Sequence, residues 1–189
     1  MPGLILASRS PRRLDLLRRI GIEPAVVPAD IDETPRPGED PVHYVVRLAG
    51  EKARAIAARG QGDRVLAADT TIDLDGTIVG QPVDEADAHR ILGRLSGRTH
   101  RVHTAVALVS AGAEGHRMVT SLVTFQPLSD SLRDWYVGTG EWRGKAGGYA
   151  VQGLGASLVA SVRGSMSNVI GLPLRETAEL LELPIRRIG

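Results

Sequence analysis

Four consecutive apolar residues, Leu4-Ile5-Leu6-Ala7, give way at once to Ser8-Arg9-Ser10-Pro11-Arg12-Arg13, and no other stretch constrains the fold so much. The apolar run suits a strand buried on both faces and ending at Ser8. Ser10-Pro11 is a helix start, since a serine side chain can cap free amides and proline at the first helical position forfeits no hydrogen bond. Leu14, Leu17 and Ile20 carry that helix at three-residue spacing up to Gly21. At about 100° per residue, Arg13 projects on the side of Leu17 and Ile20, yet in the first turn, beside the positive end of the helix dipole. Hydroxyls of Ser8 and Ser10, guanidinium groups of Arg12 and Arg13, and helix amides together would suit a polyphosphate. The same residues also describe a solvated basic first turn on an ordinary strand–helix unit.

With 189 residues and 42% hydrophobic content, the chain accommodates one substantial domain, read here as a single unit over residues 1–189 with two lobes and no separable linker. Twenty-three basic against 22 acidic residues leave a net charge of +1, which argues against nucleic acid or an anionic membrane as partner. Cysteine is absent, so disulfides, thiolate metal sites and a cysteine nucleophile are excluded. Only 3% of residues are aromatic, and the core must be aliphatic. No apolar stretch approaches the roughly 18 residues of a membrane span, and a soluble, cytoplasmic protein is expected.

Further along, Ala25-Val26-Val27 between two prolines suits an edge strand. Asp40-Pro41 opens a long helix, with Val45, Leu48, Ala49, Ala53 and Ile56 on one stripe up to Gly60. Lys52 interrupts that stripe: either it snorkels to solvent, or it points into a cleft and meets an anion. Val65 to Ala68 forms a second apolar run that closes on Asp69, placing a carboxylate at a strand end where α/β sheets gather ligands; capping of the next turn is the plainer alternative. Asp75-Gly76 makes a two-residue hairpin turn between Thr70–Leu74 and Thr77–Val79. Asp84 to Leu95 is a capped helix, Arg101–Ser110 and Arg117–Phe125 an antiparallel pair joined across Ala111–Gly115, and Ser129 starts a short helix ending at Gly138. His100 and His103, three apart on a strand, point to opposite faces and do not suggest shared ligation. The glycine-dense stretch from Gly138 to Gly155, which contains Lys145, Tyr149 and Gln152, is either a loop that lets backbone approach a ligand or a mobile connector. Leu158–Ala160 is a last strand, Asn168–Pro173 a tight turn, and Arg175–Leu183 a final helix.

In this order the chain resembles the Maf family of nucleoside triphosphate pyrophosphatases over nearly its whole length. The resemblance rests on Ser8-Arg9-Ser10-Pro11-Arg12-Arg13, Ile31-Asp32-Glu33-Thr34, Val46-Arg47-Leu48-Ala49 with Glu51-Lys52-Ala53, Ala68-Asp69-Thr70, Leu95 to His100, Lys145-Ala146-Gly147, Tyr149 with Gln152-Gly153, and Asn168 to Pro173. It implies an α/β fold similar to inosine triphosphate pyrophosphatase, with an elongated mixed sheet, helices on its flanks, and two lobes around a central cleft. It implies a homodimer, and cleavage of a nucleoside triphosphate between the α and β phosphates. Asp69 matches the family's catalytic acid, and Lys52 and Glu33 are grouped with it as catalytic. Ser8, Ser10, Arg13 and Lys145, together with Lys52, would hold phosphate. Arg12, Thr70 and Gln152 match the selectivity positions of the branch acting on dTTP and UTP. Glu33 and Asp69 would bind a hard divalent ion, Mg²⁺ or Mn²⁺, through oxygen.

One position departs. The family commonly has Gly-Lys-Pro where this chain has Gly80-Gln81-Pro82, so a neutral amide replaces a cation near the phosphates. That exchange keeps a second reading open, a nucleotide-binding regulator of cell division with weakened catalysis.

Overall fold

The computed structural model describes residues 3–60 and 62–183, so the ends of the unit read as 1–189 lie outside the described residues. Among the described residues, fifteen elements in the α/β sequence are organised by one seven-stranded mixed sheet. Its order is β2 (Ala25–Val26), β1 (Leu4–Leu6), β3 (Arg64–Leu74), β5 (Thr99–Ser110), β6 (Ala113–Phe125) and β7 (Val159–Arg163), with β4 (Thr77–Val79) also on β3. β1 runs parallel to both β2 and β3, and every other pairing is antiparallel. β1 is buried throughout, as its unbroken apolar run requires, and β2 occupies the edge, where its flanking prolines leave no ladder bond unmade.

The helices begin where side chains can take up their free amides. The Asp40 carboxylate accepts from the Val42 and His43 amides at the start of α2 (Pro41–Ala57), Asp84 from Asp87 at α3 (Glu85–Leu95), and Ser129 from Leu132 at α4 (Asp130–Gly138). α1 (Pro11–Arg19) has Ser10 at its cap and Pro11 at its first position, but the Ser10 side chain makes no capping bond, contrary to the sequence reading. α5 (Met166–Ile170) and α6 (Leu174–Leu180) close the chain.

Apolar packing divides into three groups along the sheet. α1 and α6 cover Leu4, Leu6, Leu66 and Val106 on one face, while α2 covers Ile5, Val65, Ala67 and Ala105 on the other. Beyond them, α3, α4 and the glycine-rich segment enclose Ile72, Leu92, Phe125, Tyr136 and Tyr149. β3 and β5 thus run from one lobe into the other.

Four features differ from the sequence expectation. β3 does not stop at Asp69 but continues for 11 residues to Leu74. The β5–β6 turn is only Ala111-Gly112, with φ of 48° and 79°, because both residues adopt the left-handed geometry that a two-residue hairpin needs. Residues 166–170 of the supposed tight turn and its approach form α5, so that the turn shrinks to Gly171–Pro173. The last helix begins at Leu174 and ends at Leu180.

His100 and His103 are both buried, and each has its own partners. His100 Nε2 lies 2.8 Å from the Tyr149 hydroxyl among Phe125 and Tyr149, whereas His103 lies 3.2 Å from Asp73 and 2.8 Å from Thr120. Burial pushes the His100 imidazole down to about 4, so it folds neutral. The unfolded chain binds a proton here near pH 6.5, which the folded chain refuses until about pH 4. Stability is therefore present above pH 6.5 and falls as pH drops through that window, by about 3 kcal/mol when complete. Urea unfolding at pH 7.5, 6.5, 5.5 and 4.5 is expected to show this one-proton slope, and His100→Gln to remove it; equal slopes in both proteins would contradict the assignment.

Candidate active site

The site forms where β3 loses its neighbour. On the edge of β3 away from β5, β1 pairs with Arg64 to Leu66 and β4 pairs with Ile72 to Leu74. Residues 67–71 between them have no strand on that edge among the described residues. β1 cannot continue, because the chain swings away at Ser8 to begin α1. The resulting cleft of about 860 Å³ reaches both faces of the uncovered stretch. Alternation then sends Asp69 to the α2 face and Thr70 to the opposite face, towards α1 and α5.

On the α2 face, Lys52 resolves its two readings: it points into the cleft and meets anions. Its Nζ donates to Asp69 Oδ1 at 2.7 Å and lies 2.9 Å from Glu33 Oε2. Lys52 and Asp69 side chains are only 9% and 8% exposed, whereas Glu33 is 49% exposed. Burial lifts the Asp69 carboxyl above its usual range, with Lys52 and then Arg13 pulling against that shift. A buried carboxylate kept ionised by a lysine, yet with increased basicity, is suited to accept a proton.

Glu33 comes from a loop with no regular structure, and α2 clamps that loop. The Tyr44 hydroxyl donates to the Glu33 carbonyl at 2.9 Å, and burial pushes this phenol up to about 12, so it stays a donor. Arg47 grips Glu39 through Nε at 2.5 Å and Nη2 at 2.7 Å, and reaches the Thr34 carbonyl at 3.3 Å. The side-chain hydrogen bond from Arg47 holds Glu39 well below the usual carboxylate range, at about 2. Tyr44 carried no signal in the sequence, and Arg47 appeared there only within the Val46-Arg47-Leu48-Ala49 stretch of the family resemblance, with no role assigned.

On the opposite face, Arg13 organises the basic turn. Its Nε donates to the Gly171 carbonyl at 2.8 Å, Nη1 to Ser8 Oγ at 3.2 Å and Nη2 to Thr70 Oγ1 at 3.2 Å. Of five guanidinium N–H groups, two remain, one on each terminal nitrogen. Ser8 Oγ also accepts the Ser10 amide at 3.1 Å, so its own proton is free for a ligand. Desolvation lowers the pKa of Arg13, and that of Arg12, which lines the cleft without a side-chain partner. Ser10 lines the cleft as the uncapped start of α1, leaving first-turn amides open to an anion.

The glycine-rich segment supplies the third wall. Lys145 donates to the carbonyls of Glu141 and of Arg143, the latter at 3.2 Å, and burial, followed by Arg12, lowers its pKa. Glu141 ties the segment together, accepting from the amides of Leu154 at 2.9 Å and Gly155 at 2.8 Å and from the Tyr136 hydroxyl at 2.9 Å. Gly155 is required for this closeness: a Cβ there would lie 2.7 Å from the Ala150 carbonyl. The segment is therefore a built wall, not a mobile connector. Gln152 and Gln81 both line the cleft as exposed side chains without hydrogen-bond partners.

Every site residue singled out in the sequence thus lines this cleft. Among the described residues no three His, Asp or Glu side chains cluster for a metal, but the Glu33 and Asp69 carboxylates meet at the Lys52 ammonium, 2.9 and 2.7 Å from its Nζ, so a cation would have to share them with that lysine. Two carboxylates complemented by phosphate oxygens are a common arrangement for Mg²⁺.

A mixed α/β sheet whose uncovered strand edge meets a carboxylate–lysine pair on one side and an open arginine–serine cradle on the other defines a protein built around a polyphosphate. The chain belongs to the Maf family, whose model, described as Maf-like protein, matches residues 3–183. It is 52% identical over 182 residues to a protein of Caulobacter vibrioides named dTTP/UTP pyrophosphatase, covering 95% of this chain and 94% of that one. A protein of the same name from Anaeromyxobacter dehalogenans strain 2CP-1 is 52% identical over 192 aligned positions, covering 100% of this chain and 95% of its own. No helix among the described residues is long and apolar enough to cross a membrane.

Proposed function

We propose that this protein hydrolyses dTTP and UTP, or modified pyrimidine triphosphates, between the α and β phosphates, releasing a nucleoside monophosphate and pyrophosphate. The observation that carries the proposal is the buried Asp69–Lys52 pair, with Glu33 at its solvent side, beside the open Arg13–Ser8 cradle. In the reaction, the two remaining Arg13 N–H groups, the Ser8 hydroxyl and Arg12 bind phosphate oxygens and hold the chain in line. Asp69 takes a proton from the attacking water as its oxygen bonds to the α-phosphorus. The bond from that phosphorus to the bridging oxygen breaks, and the electron pair leaves on pyrophosphate, whose charge Arg12, Arg13 and Lys145 face. Lys52 keeps Asp69 ionised until the proton arrives. A divalent ion, Mg²⁺ or Mn²⁺, held by Glu33 and Asp69 would add charge neutralisation and acidify bound water. Gln152, with an unengaged amide, is the group placed to pair with a pyrimidine edge.

A regulator without turnover finds no observation in its favour: the charged groups assemble although Gln81 is neutral, and the relatives are named for an activity. A cytoplasmic location and a homodimer remain part of the proposal. The test is pyrophosphate release with Mg²⁺ or Mn²⁺ across dTTP, UTP, CTP and GTP. Turnover confined to dTTP and UTP is expected, and release from none of them would overturn the proposal.

A further inference from the structure

Gln152 lines the cleft without a hydrogen-bond partner, so the position of its amide is set by the turn that carries it. That turn is tight: the Ala150 carbonyl accepts the Gly153 amide at 3.1 Å, leaving Val151 and Gln152 at its two central positions. One carboxylate holds it from both ends. Glu141 Oε1 accepts the Leu154 amide at 2.9 Å, and Oε2 accepts the Gly155 amide at 2.8 Å and the Tyr136 hydroxyl at 2.9 Å. With its proton directed at Glu141, the Tyr136 oxygen is left to accept the Ala150 amide at 3.2 Å. Phenol and carboxylate thus grip the chain at residue 150 on one side of Gln152 and at residues 154 and 155 on the other. Gly153 makes room for the grip, since a Cβ there would lie 2.0 Å from Glu141 Oε1. Tyr136 is fully buried, which anchors the clamp in the core beside α4.

We propose that Glu141 and Tyr136 are positioning residues for base recognition, a carboxylate–phenol clamp that holds the turn so that Gln152 meets the pyrimidine edge. Neither of them lines the cleft, so they act through Gln152 and not on the nucleotide. An ionised carboxylate accepting three bonds suits the task, because charge-assisted bonds are the stronger and shorter kind. The same residue serves the phosphate side with a different atom: its main-chain carbonyl accepts from the Lys145 ammonium. A change of the side chain leaves that contact in place. Base reading and phosphate binding therefore separate at Glu141, and nothing in the sequence singled it out within the glycine-dense stretch.

This inference rests on the proposed reading of Gln152 as the base-pairing group, and its test includes a measurement that needs no turnover. Binding of α,β-imido-UTP, which resists cleavage at that bond, and of inorganic pyrophosphate is measured by calorimetry with Mg²⁺, and kcat/KM for UTP and GTP alongside. Glu141→Gln keeps the shape but replaces one acceptor oxygen by a donor. It is expected to weaken the uridine analogue about tenfold, as loss of a hydrogen bond to a charged group does, and to leave pyrophosphate within about twofold. The preference for UTP over GTP falls with it. Tyr136→Phe, which frees the Ala150 amide while the carboxylate stays, shifts the same readouts in the same direction and carries the test should Glu141→Gln not fold. In a Gln152→Ala background, Glu141→Gln adds no more than about twofold, because the two changes break one interaction. Equal weakening of analogue and pyrophosphate would overturn the inference, as would full additivity of Glu141→Gln and Gln152→Ala. A native chain that binds the analogue but turns over no nucleotide faults the catalytic proposal alone, and calorimetry then decides the inference.

Discussion

Asp69→Asn is expected to lower kcat for dTTP by about 10³-fold, within the range for loss of a positioned general base. The amide keeps the shape and an acceptor for Lys52 but cannot take a proton from water. The native enzyme should show an acid limb in kcat/KM that lies above the ordinary aspartate range, because burial raises this carboxyl. As pH falls through that limb, Asp69 protonates and activity declines; in Asp69→Asn the limb disappears together with the rate. A substituted enzyme that retains a tenth of native kcat would remove Asp69 from the chemistry.

Lys52→Met should have the largest effect on stability. It leaves Asp69 buried without its nearest cation, and breaking such a pair by removing one member costs about 3–5 kcal/mol at neutral pH. Arg13 supplies some compensation, which places the expected loss near the lower end. The sign of its pH dependence follows from Asp69. Removing Lys52 raises the folded-state pKa of this carboxyl further above its unfolded value, so the penalty is full above the folded pKa and shrinks as pH falls through it. Denaturant unfolding at pH 7.5 and pH 5 should show the difference between native and Lys52→Met narrowing at the lower pH. A difference independent of pH would mean that packing of the lysine stem, not its charge, accounts for the loss.

Much of this site was readable because its signals are local. Lys52 betrayed itself by interrupting an otherwise apolar stripe on α2, and burial of a charge demands a partner. The Ser8 to Arg13 turn announced an anion cradle through its proline, serines and arginines. Asp69 was found for a reason that proved incomplete: it looked like the end of a strand, whereas β3 runs on to Leu74 and only its neighbour stops. Pairing partners are not local information, so the uncovered edge was invisible. The same limit hid Glu141, whose partners come from α4 and from Leu154 and Gly155. The Ala111-Gly112 turn escaped because alanine seldom adopts a positive φ, and nothing in its side chain advertises one. α5 was missed because five residues ending at a glycine resemble a turn as readily as a helix.

Because Asp69 and Thr70 are neighbours on an uncovered strand, their separation onto two faces depends on register alone. An insertion or deletion of one residue between Leu66 and Asp69 would exchange the faces, carrying the acid to the arginine side and the hydroxyl to the lysine side. Lengthening the Ala111-Gly112 hairpin tip would leave both where they are. This chain can therefore absorb length changes at its far hairpin, while the few residues of β3 leading into the cleft behave as a ruler that tolerates substitution but not a change of count.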